Sequence, residues 1–244
     1  CIRDRYNPAT LTIKNSSRLV PAIDKNLTLS KRGFLTFLDS SKTRSLNCSQ
    51  EISLLISCCS EDNAFVKSIF DIKLKNMFKL YAMRHAKSSW DFPDLVDFER
   101  PLNKRGIESS KKICERFVKN KIFFDLILTS SSKRTLETLS YLNGPAEKAK
   151  ILKLKELYNT SEIEILKIIK KVDDKYKSLL LINHMPSIKD FCSKICLNQN
   201  SNFYKDMCHK FSTAAVAEFE FKFKSWKDLD LGGKITNFIR PKDI

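Results

Sequence analysis

Short apolar runs alternate with amphipathic segments from residue 77 onward, and this alternation constrains the fold more than any other feature of the sequence. Runs of strand length occupy residues 78–83, 124–129, 149–155, 178–183, 213–223 and 233–241. Helical spacing of apolar residues covers 101–120, 131–142, 161–171 and 186–197. Strands that alternate with helices predict parallel β-α-β crossovers, so we predict a layered α/β domain over residues 77–244.

The first 76 residues lack this alternation. Their apolar clusters, such as "GFLTFL", are separated by serine, asparagine and lysine and show no sustained period. All four methionines lie at residue 77 or later, and a strand pattern begins directly after Met77. We therefore expect residues 1–76 to be an N-terminal extension that is disordered or is not native to the protein. A small separate domain is the alternative.

The chain is strongly basic, because 44 Lys and Arg residues oppose 28 Asp and Glu residues for a net charge of +16. This balance favours anionic partners, among them nucleic acid, phosphorylated proteins and phosphate esters. A nucleic-acid surface would cluster lysines and aromatic residues on one face, whereas here lysines are scattered and aromatic residues fall mostly at core positions. We therefore expect no nucleic-acid partner. Apolar runs stay short of the roughly 18 residues of a membrane span, so we expect no membrane association.

The cysteine pattern is that of reduced thiols. Eight cysteines are too few for a disulfide-stabilised fold of this length, and the paired CxxC spacings typical of zinc sites are absent. Cys192 and Cys196 lie four residues apart on a predicted helix. We interpret the cysteines as mostly buried small residues, which favours a cytoplasmic location.

Arginine and histidine follow three of the predicted strands. Arg84 and His85 come after 78–83, Arg134 comes after the serines at 130–132, and His184 follows 178–183. Ligands of open α/β sheets bind beyond the carboxyl ends of the strands. Each residue alone has a structural explanation, but the joint placement of two of the chain's three histidines favours a common site.

These residue types suit phosphoryl transfer. Arginine presents a planar fork of donors that matches phosphate oxygens, and it stays charged. Helices that begin after residues 131 and 185 would add free backbone N–H groups. A histidine among guanidinium groups can attack phosphorus and form a phosphoenzyme while the arginines neutralise the equatorial oxygens. The arginines should also lower the pKa of that histidine and keep it nucleophilic.

The segment "LYAMRHAKSSWDFPDLVDFERPLNKRG" (80–106) resembles the opening of the SixA-type phosphohistidine phosphatases, within the histidine phosphatase (phosphoglycerate mutase-like) superfamily. "RHA" stands where that superfamily has RHG, and the similarity continues through "DLILTSSSKRTLET", "LYNTSEIEIL" and "LLLINHMPSI". It covers residues 77–244. The resemblance implies a three-layer α/β/α fold with a mostly parallel central sheet.

The resemblance also implies residue roles. His85 would be the nucleophile, Arg84 and Arg134 would hold the phosphoryl group, and His184 would contact a phosphate oxygen. We also expect Ser88 to contact the substrate.

The sequence departs from the family pattern at several positions. Ser131 and Ser132 replace a proline and a small residue, Leu136 stands where a second arginine is common, and Asn183 and Ser187 stand where glycines are common. The departures leave the core catalytic residues in place, and we expect Asn183 and Ser187 to tighten the pocket.

The expected activity is removal of the phosphoryl group from phosphohistidine in a signalling protein of the phosphotransfer or phosphocarrier type. A substrate imidazole leaves easily because its conjugate acid has a pKa near about 6.5, whereas a phosphoester needs a general acid. The candidate acids are Asp91, Asp94, Glu137 and Glu156, of which Glu156 is expected to lie nearest the pocket.

Two alternatives stay open at this point. The same fold acting on small phosphoesters or polyphosphate is the first, and a non-catalytic phosphoprotein binder is the second. The intact Arg84, His85, Arg134 and His184 argue against the second. We expect a monomer. We also expect the reaction to need neither a metal nor another cofactor, because the arginines carry the required positive charge.

Overall fold

The computed structural model describes residues 77–244 and two short strands before them. These strands, β1 (Leu27–Leu29) and β2 (Leu35–Phe37), pair with each other in an antiparallel register. The prediction for the rest of residues 1–76 lies outside the described residues.

A six-stranded sheet forms the centre of the domain. Its strands are β3 (Phe78–Arg84), β4 (Leu126–Ser130), β5 (Lys150–Leu154), β6 (Ser178–Asn183), β7 (Val216–Phe221) and β8 (Lys234–Ile239). The order across the sheet is β5-β4-β6-β3-β7-β8. The pairs among β5, β4, β6 and β3 are parallel, whereas β7 and β8 pair antiparallel. The predicted mostly parallel sheet is therefore confirmed.

Five α-helices accompany the sheet within residues 77–244. They are α1 (Lys104–Lys119), α2 (Lys133–Ser140), α3 (Glu162–Ile169), α4 (Ser187–Ile195) and α5 (Asn202–His209). The Ser161 side chain caps α3 by accepting a hydrogen bond from the backbone N–H of Glu164, as a serine three residues before a glutamate favours. Helix α5 was not predicted, because it is short and polar and buries only Met207 completely.

Alternate residues of β3 face two separate cores, as the pleat of a strand requires. Leu80 and Ala82 belong to one core together with Ile165 of α3 and Phe191 of α4. The opposite face of β3 contributes to the second core, which includes residues of α1 and α2. Helices thus cover both faces of the sheet, and the predicted three-layer α/β/α architecture is confirmed.

The parallel strands bring their carboxyl ends to one edge of the sheet. Arg84 at the end of β3 lies opposite Asn183 at the end of β6, and the end of β4 lies beside β6 on its other side. The residues that follow these three strands therefore meet at this edge. Among the described residues, no helix is both long and apolar enough to cross a membrane.

Candidate active site

His85 follows β3 and is held in one orientation. Its backbone N–H donates to the carbonyl oxygen of Asn183 at 3.0 Å, and its ring Nδ1 lies 2.7 Å from the carbonyl oxygen of Ala86. Because a carbonyl oxygen only accepts hydrogen bonds, Nδ1 carries the proton in this geometry. The other ring nitrogen, Nε2, is then unprotonated and has its lone pair open to an electrophile.

The surroundings of His85 keep its ring neutral. Burial lowers the pKa of His85 to about 3, and the electrostatic effects of the neighbouring His184 ring and of the Arg134 and Arg84 guanidinium groups act in the same direction. The hydrogen bond to Ala86 opposes this shift but does not overcome it. At neutral pH the ring is therefore an uncharged base.

The backbone around His85 is coupled to α2. The N–H of Ala86 donates to Thr138 Oγ1 at 3.0 Å, and the Thr138 hydroxyl donates to the carbonyl oxygen of Arg134 at 2.6 Å. A threonine one turn after Arg134 thus connects the candidate nucleophile to the helix that carries an arginine of the site. Sequence reasoning missed this residue, whose only signal was its spacing from Arg134.

Two arginines approach the site from different elements. Arg84, at the end of β3, donates from Nη1 to the carbonyl oxygen of Phe211 at 2.8 Å, while its Nε is buried and has no partner among the described residues. Arg134 lies in the first turn of α2 and is buried. Its guanidinium donates from Nη1 to the backbone oxygen of Asp97 and from Nη2 to Asp97 Oδ2 at 2.8 Å.

His184 follows β6 and packs against His85, with 5.0 Å between the two ring centroids. Its Nε2 lies 3.0 Å from Ser130 Oγ and 3.4 Å from Ser132 Oγ. Burial and the positive charge of Arg134 lower the pKa of His184 to about 4, although the carboxylate of Asp97 opposes this shift. This ring is also neutral at pH 7, so it acts as a hydrogen-bonding group.

Known proteins were compared with the chain by sequence and by structure. The sequence matches no family model. An uncharacterized protein of Mycobacterium leprae is 27% identical over 153 residues, which are 61% of this chain and 92% of that protein. An uncharacterized chloroplast protein of Arabidopsis thaliana is 36% identical over 69 residues, which are 28% of this chain and 32% of that protein.

Solved structures show a similarity that covers almost the whole of each neighbour. A protein that carries the name phosphohistidine phosphatase SixA, from Nakamurella multipartitia, superposes with a TM-score of 0.60 at 22% identity and covers 68% of this chain and 96% of its own. The protein histidine phosphatase SixA complexed with tungstate superposes with a TM-score of 0.57 at 18% identity. The superposition covers 68% of this chain and 99% of that protein. The described domain has the histidine phosphatase fold. The resemblance inferred from the sequence is thereby confirmed for the fold.

The histidine phosphatase fold of this chain leaves several buried polar atoms without protein partners near the carboxyl ends of β3, β4 and β6. Within residues 77–244, these atoms include Arg84 Nε, Ser131 Oγ, Asn183 Nδ2 and His184 Nδ1. Buried donors without partners are uncommon in folded proteins. A bound oxyanion would satisfy such donors, since its oxygens accept several hydrogen bonds each.

Two departures from the family pattern have local structural roles within this histidine phosphatase fold. The Asn183 side-chain oxygen accepts a hydrogen bond from the backbone N–H of His184 at 2.8 Å. The Ser187 hydroxyl donates to the carbonyl oxygen of Thr160. Both side chains therefore fix backbone beside the candidate site, and whether they tighten the pocket stays a prediction.

Ser88 is buried, and its hydroxyl accepts a hydrogen bond from Arg100 Nη2 at 2.9 Å. Within the described domain, its hydroxyl makes no hydrogen bond to Arg84, His85, Arg134 or His184. A contact between Ser88 and substrate therefore stays a prediction.

The four candidate acids either form hydrogen bonds outside the candidate site or are exposed. Asp91 accepts a hydrogen bond from Ser89, and Glu137 accepts one from the backbone N–H of Leu102 at 2.6 Å. Asp94 and Glu156 are exposed. Over residues 77–244, none of these four side chains hydrogen-bonds to a residue of the candidate site.

Asp97 is the carboxylate that contacts the site, and sequence reasoning missed it. Besides its bonds from Arg134, it accepts hydrogen bonds from Tyr158 at 2.9 Å and from Arg100 at 3.0 Å. Burial alone would raise the pKa of Asp97, but hydrogen bonds from Tyr158 and Arg134 leave it below the ordinary value. Tyr158 in turn packs edge-on against His184, with 5.5 Å between ring centroids. Asp97 lies within the quoted segment 80–106, so the signal was present although its role was not apparent.

Proposed function

We propose that residues 77–244 form a phosphatase that removes the phosphoryl group from phosphohistidine in a protein, through a phosphorylated His85. One observation carries the proposal: His85 is a buried, neutral imidazole whose protonated Nδ1 bonds to Ala86 and whose Nε2 is open. The positive charges of Arg84 and Arg134 act on the same ring. A neutral nucleophile beside two cations suits attack on an anionic phosphoryl group.

The first step forms one N–P bond and breaks another. The Nε2 lone pair of His85 attacks phosphorus, and the substrate imidazole departs with the electron pair of its own N–P bond and takes a proton from solvent. Arg84 and Arg134 stabilise the charge on the equatorial oxygens, and the ring N–H of the neutral His184 donates a hydrogen bond to an oxygen of the transferring group.

The second step returns the enzyme to its starting state. The phosphorylated His85 keeps the proton on Nδ1 and its bond to Ala86, so the ring is cationic and is a good leaving group. Water attacks phosphorus, loses a proton to solvent, and phosphate departs from Nε2. The electron pair of the broken bond restores the neutral imidazole.

The ionisation of Asp97 supports an N–P substrate over an alkyl phosphate. A substrate imidazole leaves without an acid because its conjugate acid has a pKa of about 6.5, whereas an alkoxide needs a proton in the transition state. Among the described carboxyl groups, Asp97 is the one bonded to an arginine of the site, and its pKa is lowered. An ionised carboxylate has no proton to give.

The decisive experiment compares three substrates: a protein phosphorylated on histidine, phosphoramidate, and phosphoserine. We expect turnover of both N–P compounds and little turnover of phosphoserine. His85→Ala should abolish turnover and the acid-labile phosphoenzyme, whereas His209→Ala, at an exposed histidine, should retain both. Near wild-type turnover by His85→Ala would overturn the proposal, and preferential hydrolysis of phosphoserine would assign the enzyme to phosphoesters.

The proposal extends to the requirements of the reaction. Over residues 77–244, no three His, Cys, Asp or Glu side chains cluster so as to hold a metal ion. We propose that the arginines supply the positive charge, so that EDTA leaves activity unchanged and tungstate, a tetrahedral oxyanion, inhibits competitively with substrate. We further propose a monomeric, cytoplasmic enzyme, which sedimentation and cell fractionation would test.

A further inference from the structure

Four large apolar side chains are exposed on the segment between β3 and α1, which begins at the candidate nucleophile. Trp90 is 72% exposed, Phe92 53%, Leu95 39% and Val96 67%. We call residues 90–96 the apolar loop. Outside residues 90–96, no stretch of seven residues within 77–244 exposes more than two large apolar side chains. Single exposed apolar residues are ordinary, but a group of them marks an interaction surface.

The apolar loop is anchored at its base. The N–H of Ser89 donates to the carbonyl oxygen of Pro101 at 2.8 Å, and Arg100 Nε donates to the carbonyl oxygen of Ser89 at 3.0 Å. The guanidinium carbon of Arg100 lies 3.3 Å from the centroid of the Trp90 ring, so the indole stacks on a buried cation. A surface that is ordered in advance loses little conformational entropy when a partner binds.

The apolar loop is connected directly to the candidate site. Asp97 follows it, and the Asp97 carboxylate bonds both Arg100 beneath Trp90 and Arg134 of the phosphate site. The Asp97 backbone oxygen also accepts a hydrogen bond from Arg134. A partner that binds the apolar loop therefore lies next to the Arg134 guanidinium, which we propose binds the phosphoryl oxygens.

The charge of this segment indicates the chemistry of the partner. Residues 88–99 contain neither lysine nor arginine, although the chain as a whole carries a net charge of +16. Besides Asp97, whose charge is paired with Arg100 and Arg134, they contain Asp91, Asp94 and Glu99. The three carboxylates that lack an arginine partner within residues 77–244 attract lysine and arginine side chains of a partner. The fitting partner is therefore a protein surface with apolar side chains and basic residues.

From these observations we infer that the apolar loop is the docking surface for the protein substrate, and that it selects phosphohistidine flanked by apolar and basic residues. This inference rests on the proposed function and specifies the substrate class of the same site. A small phosphorylated compound would gain nothing from the loop. The loop therefore affects protein substrates and leaves phosphoramidate turnover unchanged.

The test uses the full chain and three substrates: phosphoramidate, a short peptide with phosphohistidine between lysine and leucine residues, and a peptide with phosphohistidine between glutamate and serine residues. We expect kcat/KM for the lysine-leucine peptide to exceed that for the glutamate-serine peptide by about tenfold, on the scale of burying two partly exposed apolar side chains. Phe92→Ser/Val96→Ser should reduce this preference to within about twofold. Its phosphoramidate turnover should stay at the wild-type value.

A matched double variant controls for loss of exposed apolar surface elsewhere. Phe123→Ser/Leu231→Ser removes two side chains that are also exposed, at 59% and 67%, and should retain the full preference. Equal hydrolysis of both peptides by the wild type, or an unchanged preference in Phe92→Ser/Val96→Ser, overturns the docking surface. If phosphoramidate is still hydrolysed in that case, the proposed function stands. Absence of all N–P hydrolysis overturns both. A concentration-dependent dimer that Phe92→Ser/Val96→Ser abolishes would assign the loop to a second copy of the chain and overturn the inference.

Discussion

Acidification from pH 7 to pH 5 should destabilise the domain through His85, and His85→Asn should remove that part of the loss. Burial lowers the pKa of His85 to about 3 in the folded protein, whereas an unfolded histidine has a pKa near about 6.5. The folded state therefore favours the neutral ring. As pH falls below about 6.5 the unfolded chain takes up the proton first, so the free energy of unfolding decreases.

The magnitude follows from proton linkage. At pH 5 an unfolded histidine is mostly protonated while His85 in the folded protein is not, which lowers the free energy of unfolding by about 2 kcal/mol relative to pH 7. Because the pKa of His85 in the folded protein lies well below pH 5, the loss of about 2 kcal/mol depends almost entirely on the pKa of histidine in the unfolded chain. A shift of one unit in the folded pKa leaves it nearly unchanged.

Urea unfolding at the two pH values measures the effect, with fluorescence of the fully buried Trp226 as the signal. His85→Asn should lose about 2 kcal/mol less than the wild type on acidification, a difference in midpoint on the order of 1 M urea. His209→Asn changes an exposed histidine and should follow the wild type. If His85→Asn loses as much stability as the wild type, the neutral, desolvated state of this ring is refuted.

Three further predictions concern the same edge of the sheet. Asp97→Ala should lower kcat/KM by about tenfold, because Arg134 loses its ion pair. Asp97→Asn keeps a hydrogen-bond acceptor and should lower kcat/KM less. Equal losses of kcat/KM in the two variants would contradict a positioning role for Asp97. Gly106→Ala should lower the free energy of unfolding by about 2 kcal/mol or more in urea titrations. The reason is that a Cβ at this position would lie 2.2 Å from the Lys87 carbonyl oxygen. Unchanged stability would contradict this contact. Nitrogen NMR should find the neutral His85 ring protonated on Nδ1, and a proton on Nε2 would exclude the proposed nucleophile.

The fold class and the meeting of the strand ends were predictable from the sequence. Strand and helix patterns depend on the local spacing of apolar residues, and their alternation implies parallel crossovers that place carboxyl ends at one edge. The structure accordingly brings Arg84, His85, Arg134 and His184 to that edge, because β3, β4 and β6 are parallel neighbours.

Contacts between segments that are distant in the chain could not be predicted from the sequence. Asp97 lies 37 positions before Arg134 and 61 before Tyr158, and it meets both only because α2 and the turn after β5 converge at the carboxyl edge. Thr138 supports the backbone of Ala86 across 52 positions for the same reason. The local pattern of the chain thus determined which elements form and which side chains follow them. Tertiary packing decided which carboxylate holds the arginine and which nitrogen of His85 keeps its proton, since both depend on neighbours that only folding brings within hydrogen-bond distance.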